Sequence, residues 1–326
     1  MLARPRSPRR IPLNNLTNPD ERCNPALSVV VIPLIGRDVL ATCIDRLPLS
    51  KVECIVVLRR AMGTAASWQQ RYQSVTFIDA TNEPVPMRRQ IGVAAATGDI
   101  VGLIEDTSWP DETWYAAARE AFEDPQVAAA GGSVRIAATL PSRYQALGWS
   151  EYGAFAPIHC AQTSSYNSEA KRPWTAGRVP GNNMVFRSVD LIEAMHGEVK
   201  GLFEGAVCER MLARGRRVVF QPQMSVTFSA SDPHNASLAT RLHHGRIYSA
   251  GQVANRTWPG RLAHLTKTPL LPLVLTIRRA SFLARSGRMI ARLPVLFWIF
   301  LMESSWALGE AVGTLRGVGK SMSEWR

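Results

Sequence analysis

The chain has 326 residues, of which 46% are hydrophobic and 20% charged. This composition excludes a disordered or fibrous protein and predicts one sizeable globular domain with an appendage. Its five cysteines form no CxxC pair and lack zinc-finger spacing, which favours free thiols in a reducing compartment over disulfides. The formal net charge of +12 admits two partners, nucleic acid or an anionic membrane surface.

Residues 1–26 are predicted to be a disordered basic leader. The first 19 residues contain arginines but no acid, and no apolar stretch follows them as it would in a secretory signal. The arginines concerned are Arg4, Arg6, Arg9 and Arg10.

The next hundred residues alternate between short apolar runs and segments with helical spacing of apolar positions. Strands are predicted at Leu27–Pro33, Val52–Leu58, Thr76–Ile78 and Ile100–Ile104, and helices at Asp38–Leu47, Met87–Ala96 and Glu112–Phe122. Such alternation predicts a parallel sheet with helices covering its faces. Ligands of such sheets bind beyond the carboxyl ends of the strands.

The second half has a different character, with a glycine-interrupted strand followed by a long aromatic stretch that we expect to line an acceptor region. The predicted elements are strands at Val127–Val134, Gly181–Phe186 and Arg217–Phe220 and a helix at Gly205–Arg214. The aromatic stretch runs from Tyr144 to Trp174.

Residues 236–326 are predicted to be a basic, hydrophobic helical region that associates with a membrane. From 258 onward, ten Lys and Arg stand against three Glu, and they flank the apolar runs Pro269–Ile277 and Leu293–Met302. Basic residues beside apolar runs are typical of interfacial helices on an anionic leaflet rather than of nucleic-acid arms. Each run is shorter than the roughly 20 residues of a membrane span. Spanning helices and a helical pair packed on the soluble domain remain alternatives.

The acidic triplet Glu105-Asp106-Thr107 directly follows a predicted buried strand. Divalent cations prefer carboxylate oxygens, and a cation stabilises a diphosphate leaving group. The triplet is therefore a candidate metal site, although acids after a strand also cap the following turn or helix.

The order of motifs resembles the GT-A family 2 glycosyltransferases over about residues 27–228. The motifs are Arg89-Gln90-Ile91-Gly92, Gly98-Asp99, the acidic triplet, Pro110 with Trp114, and Gly181-Asn182-Asn183. The resemblance implies an α/β GT-A catalytic domain at 27–235, with a mostly parallel sheet flanked by helices, followed by C-terminal hydrophobic helices.

The resemblance also implies site residues and a cofactor. Donor contacts fall on Pro33, Arg89 and Asp106, and the acceptor-side residues are Gly181, Asn182 and Asn183. Apart from the resemblance, Arg59 is a further candidate donor contact, and the aromatic stretch adds Trp174 on the acceptor side. A divalent metal, Mg²⁺ or Mn²⁺, would be held by Asp106 with Glu105. In inverting members an acid before a helix of the form LxxRLxxxG is the general base, and counting back from Arg210 and Gly215 places it on Glu204. Glu209 is the alternative base, and Glu204 would also suit a helix N-terminus for its charge alone.

Two positions depart from the family pattern. Leu58-Arg59-Arg60-Ala61 replaces the turn whose Asp holds the nucleotide base, so Arg59 is either a diphosphate contact or a solvated surface arginine. Thr107 replaces the third acid and brings no charge to a metal.

The sequence thus predicts an inverting transferase that moves a sugar from a nucleotide-diphosphate donor to a glycan or lipid-linked acceptor. We expect it at the cytoplasmic face of the membrane, with no nucleic-acid partner. The alternative is a catalytically degenerate relative that binds ligands at the membrane.

Overall fold

The computed structural model describes residues 26–157, 173–197, 201–229, 238–285 and 292–324, except the side chains of Trp174, Phe282 and Arg285. The predicted leader lies outside these residues apart from Ala26. The predicted domain boundary at 235 also lies outside them.

Within the described residues, strands and helices alternate from the start, as predicted. The strands are β1 (Leu27–Ile32), β2 (Glu53–Leu58), β3 (Val75–Asp79), β4 (Ile100–Glu105), β5 (Ser108–Pro110), β6 (Val127–Ile136), β7 (Trp174–Thr175), β8 (Asn183–Arg187) and β9 (Arg217–Phe228). The α-helices are α1 (Arg37–Asp45), α2 (Ala65–Gln69), α3 (Val85–Ala95), α4 (Trp114–Glu120), α5 (Ser142–Tyr152), α6 (Ser188–Ala194), α7 (Glu204–Ala213), α8 (Leu238–Gln252), α9 (Trp258–Leu265), α10 (Leu271–Arg285) and α11 (Leu293–Arg316).

In the part of the chain described, the nine strands form one sheet with the order β3-β2-β1-β4-β8-β6-β9-β5, and β7 pairs with β9. The first four strands are parallel, as predicted, whereas β8 is antiparallel to both β4 and β6. The sheet is therefore mixed, and its parallel half places the carboxyl ends of β1 and β4 side by side.

Both faces of the sheet are buried. Along β1, Val29 and Val31 belong to one apolar cluster, and Val30 and Ile32 belong to a second cluster on the other face. A strand with both faces covered has a continuous rather than an alternating apolar pattern, which is why the run starting at Leu27 is apolar throughout.

Strand β9 is eight residues longer than the predicted Arg217–Phe220. The extension includes Pro222, and a proline is rarely found within a central strand because it cannot donate to the ladder. The structure accommodates this proline at a register shift between β6 and β9, next to Gly132. A methyl group at Gly132 would lie 1.6 Å from the carbonyl oxygen of Met224, so the irregularity requires glycine there.

The second apolar run of the tail does not form a short isolated segment. It continues into α11, a helix of 24 residues that is long and apolar enough to cross a membrane. The most apolar 18-residue stretch of this helix has a mean hydropathy of 1.4, and 39% of that stretch is buried. The apolar run itself ends at Met302, and the helix continues beyond it through residues such as Ser304, Ser305 and Ala307. This helix packs along α8 and against α5.

The packing of α8 on α11 depends on glycines that bring the two backbones into contact. A methyl group at Gly245 would lie 2.2 Å from the carbonyl oxygen of Trp306, and one at Gly309 would lie 2.1 Å from that of Leu242. Small residues permit such close helix crossings.

We expect Gly245→Ala to lower the free energy of unfolding by at least about 2 kcal/mol, because the added methyl group overpacks the α8–α11 contact. Gly251→Ala is the matched control, since Gly251 lies on the same helix and a methyl group added there would have nothing within 4 Å. It should leave stability unchanged or raise it by up to ~1 kcal/mol. Chemical denaturation measures both, and equal effects would contradict the close crossing.

Candidate active site

The acidic strand end lies where the order of the parallel strands reverses, between β1 and β4. The Asp106 amide donates to the Ile32 carbonyl at 3.2 Å. The Asp106 carboxylate accepts the amides of Leu34 at 2.8 Å and Ile35 at 3.3 Å. Asp106 therefore fixes the loop that follows β1, at the position where open α/β sheets bind their ligands.

Asp106 is completely buried, and burial raises its pKa to about 6. The two amide hydrogen bonds, with the charges of Arg59 and Arg88, oppose this rise. Because both carboxylate oxygens already accept backbone amides, the side chain shapes the loop.

Arg89, on α3, is the centre of the site. One of its terminal nitrogens donates to Glu204 at 2.8 Å, and the other donates to Glu105 at 2.9 Å and to the Gly181 carbonyl at 2.9 Å. The side chain is only 2% exposed. Burial alone would lower the pKa of Arg89, but the charges of Glu204 and Glu105 raise it overall, so the guanidinium remains charged.

Glu105 has a second partner, the Tyr152 hydroxyl at the end of α5, which donates to it at 3.1 Å. Burial raises the pKa of Glu105 to about 7 against the opposing charge of Arg89. Burial also raises the pKa of Tyr152 well above its ordinary value, so its hydroxyl keeps the proton that it donates.

Glu204 is the first residue of α7, and its side chain is 31% exposed, whereas the Glu105 side chain is 9% exposed. Gly181 lies against it, since a methyl group there would come within 2.7 Å of a Glu204 carboxylate oxygen. Glu204 is thus the carboxylate of this cluster that a ligand can reach.

Arg88 and Arg59 surround the loop after β1. Arg88 is fully buried and donates to the Pro33 carbonyl at 2.7 Å, while Arg59 donates to the Ile35 carbonyl at 3.0 Å. Within the described residues, the other two nitrogens of Arg88 have no hydrogen-bond partner. Burial and the neighbouring charge of Arg59 lower the pKa of Arg88 to about 10.

The predicted acceptor-side residues occupy different positions. Asn182 donates to the Ser108 hydroxyl at 2.6 Å. Asn183 accepts from the Trp114 indole and donates to two carbonyl groups, so its amide ties strand β8 to the sheet. The backbone of Trp174 pairs with Phe220, and its side chain lies outside the described atoms. An acceptor-side role for these residues stays a prediction.

The described residues do not fit a divalent metal at the predicted position. Asp106 accepts two amides, Glu105 is bound by Arg89 and Tyr152, and the third position is Thr107. No group of three His, Cys, Asp or Glu that could hold a metal occurs among the described residues.

Comparison with known proteins identifies the fold. No family model and no curated protein matches the chain. The solved structures that resemble it are glycosyltransferases of the GT-A type, and the chain has this fold. The mannosyltransferase PcManGT from Pyrobaculum calidifontis, solved with GDP-Man and Mn²⁺, matches with a TM-score of 0.52 and 14% identity, over 90% of this chain and 87% of its own.

GalNAc-T7, solved with UDP, GalNAc and Mn²⁺, matches with a TM-score of 0.49 and 12% identity. That match covers 75% of this chain and 55% of GalNAc-T7. We take the fold from the mannosyltransferase alone.

The structure brings Arg89, Glu105 and Glu204 together, and Pro33, Arg59 and Asp106 lie around the adjacent loop. The sequence motifs point to Arg89 rather than to its neighbour Arg88 and do not single out Tyr152. Nothing in the spacing of the aromatic stretch distinguishes Tyr152 from its neighbours. Arg88 gave a signal, since a second arginine beside Arg89 on a helix against the sheet is costly to bury without a purpose.

We expect Arg89→Met to lower the free energy of unfolding by about 3–5 kcal/mol, because it leaves Glu105 buried without its cation. Arg135→Met is the matched control, since Arg135 is 55% exposed in its ion pair with Asp111. The control should stay within ~1 kcal/mol of the unaltered protein. Denaturant unfolding measures both free energies. An equally small effect of Arg89→Met would show that the ion pairs of Arg89 with Glu105 and Glu204 are dispensable for stability.

Proposed function

We propose that the protein is a glycosyltransferase that moves a sugar from a nucleotide-diphosphate donor to a glycan or lipid-linked acceptor, with inversion at the anomeric carbon. The observation that carries the proposal is the partly exposed carboxylate of Glu204, oriented by Arg89 next to the loop that follows β1. Such a transfer needs a site for the donor and an oriented acid beside it. The GT-A sheet offers the first where the strand order reverses between β1 and β4, and Glu204 is the second.

Glu204 acts as the general base. It takes the proton of the acceptor hydroxyl as that oxygen bonds to the anomeric carbon. The bond between this carbon and the diphosphate oxygen breaks from the opposite side, and its electrons leave with the nucleoside diphosphate. Because attack and departure are on opposite faces, the configuration inverts.

The diphosphate lies beside the loop after β1, where Arg59 and Arg88 supply positive charge. The mannosyltransferase with the same fold was solved with Mn²⁺. In this chain the residues at Asp106 and Glu105 do not fit a metal, and no step of the proposed reaction depends on one. Turnover measured with and without a chelator tests whether the reaction needs a metal.

The protein works at the cytoplasmic face of a membrane, with its C-terminal helices resting on the surface. Large apolar side chains of α10 and α11 are more than half exposed, among them Leu273, Ile277 and Phe297. Helix α11 also carries Glu303 and Glu310, both buried against protein partners, and charged residues inside a spanning helix are costly. This distribution favours interfacial helices over a span.

We expect Glu204→Gln to lower the rate of sugar transfer by at least about 100-fold, because the amide cannot take the acceptor proton. Glu209→Gln is the matched control, since Glu209 is an exposed acid on the same helix. Its rate of transfer should stay within about twofold of that of the unaltered protein, because Glu204 still takes the acceptor proton.

The measurement is turnover of a panel of nucleotide sugars, with Mg²⁺, with Mn²⁺ and with a chelator. A larger loss in Glu209→Gln would assign the base to Glu209 instead. If calorimetry detects no binding of any donor to the unaltered protein, the degenerate binding protein becomes the better interpretation.

We expect the unaltered protein to sediment with vesicles that contain anionic lipid, and Val274→Asp with Ile277→Asp to reduce the bound fraction severalfold. The added charges oppose burial of the α10 face in the interface. Val189→Asp with Ile192→Asp is the control, because these α6 side chains are at least as exposed but lie elsewhere. Equal losses in both pairs, or no sedimentation of the unaltered protein, would contradict surface association.

A further inference from the structure

The last three residues of α5 connect the C-terminal helices to the catalytic cluster. The Ser150 carbonyl accepts from Arg279 of α10 at 3.0 Å. The Glu151 carboxylate accepts from Arg241 of α8 at 3.2 Å, and the next residue, Tyr152, donates to Glu105 at 3.1 Å.

Glu151 is held by two side chains of α8 rather than by one. The ring nitrogen Nδ1 of His244 lies 3.2 Å from the carboxylate oxygen that Arg241 also contacts. Arg241 is in turn 3.5 Å from Glu303 of α11 and lies over the ring of Trp306. Arg241 is thus a buried charge with carboxylate partners on α5 and α11. It resists displacement, because moving any one of these three side chains leaves another charge unpaired.

Helix α8, which supplies both partners of Glu151, is firmly supported by its neighbours. The glycine contacts between α8 and α11 bring backbone against backbone, and Leu283, Val295 and Ile299 pack with Trp149 one turn before the end of α5. The position of the Tyr152 hydroxyl is therefore fixed from the C-terminal side of the molecule.

We propose that Glu151 is a positioning residue through which the C-terminal helices hold Tyr152 on Glu105 and thereby set the activity of the catalytic centre. Among the described residues, Glu151 makes no hydrogen bond to Arg89, Glu105 or Glu204, and its structural link to them is the neighbouring Tyr152. Its charge also raises the pKa of Glu105. The kinetic part of this inference rests on the proposed function, whereas its structural part does not.

A double-mutant cycle of Glu151→Gln and Tyr152→Phe tests the path. Glutamine keeps the shape of Glu151 but loses the charge, and phenylalanine removes only the hydroxyl that Glu105 accepts. We expect each single change to lower turnover about tenfold, the scale of one hydrogen bond to a charged group. The double variant should be within about twofold of Tyr152→Phe, because residues on one path are not additive.

A combined loss of about 100-fold would overturn the proposal, since independent effects multiply. So would unchanged turnover in Glu151→Gln. If Glu151→Gln does not fold, Arg241→Lys replaces it in the cycle, because lysine keeps the buried positive charge. Glu310→Gln is the matched control: it removes a buried carboxylate of α11 whose partners are Trp306 and His264, and turnover should stay within about twofold of the unaltered protein.

Hydrogen exchange supplies a readout that does not depend on activity. The Asp106 amide donates to the Ile32 carbonyl beside Glu105, so loosening Tyr152 should speed exchange in the peptide 103–110. We expect faster exchange in Glu151→Gln and Tyr152→Phe but not in Glu310→Gln. If the unaltered protein turns over no nucleotide sugar, the proposed function fails and this experiment still decides the coupling. Equal exchange in all variants would overturn it.

Discussion

The arrangement of the site depends on one buried cation balanced by two carboxylates. Arg89 lies between Glu105, which ends a central strand, and Glu204, which begins a helix from a distant part of the chain. A guanidinium presents its donors in a fixed fork, so it sets the distance and angle between two acids, which a lysine cannot do. The fork also holds the Gly181 carbonyl, two residues before β8 begins.

The charge balance explains why the acids here differ in character. Glu105 and Asp106 lie on the protein side of the cluster, and each is saturated with donors from the chain. Glu204 has one strong partner and an exposed edge. Environment rather than residue type thus separates the two enclosed carboxylates from the one that a ligand can reach.

Much of the fold was predictable because it follows from local pattern. The continuous apolar runs from Leu27 and from Ile100 require strands with both faces covered, and the structure places them at the centre of the parallel half. The length of β9 was not predictable, because it depends on a register shift that accommodates Pro222. The length of α11 was missed since its second half is held by contact with α8 rather than by its own apolar run.

The order of the site motifs along the chain was visible in the sequence, but the contacts that their side chains make were not. The placement of Glu105, Arg89 and Glu204 on a shared cluster agrees with the motif order, although their roles stay predictions. That Asp106 binds the loop after β1, and that Tyr152 reaches Glu105, are consequences of tertiary packing. No local spacing encodes either contact.

The contacts that complete the cluster join residues far apart in the chain: Arg89 and Glu204 are separated by 115 positions, and Arg241 and Glu151 by 90. Closing such long loops costs entropy before the contact returns any stability, and non-local contacts slow folding. During synthesis, Glu105 is made before its partner Tyr152, and Tyr152 is made before α8, whose Arg241 holds the neighbouring Glu151. The cluster is therefore completed late, after all the strands of the sheet that carries it have been synthesised.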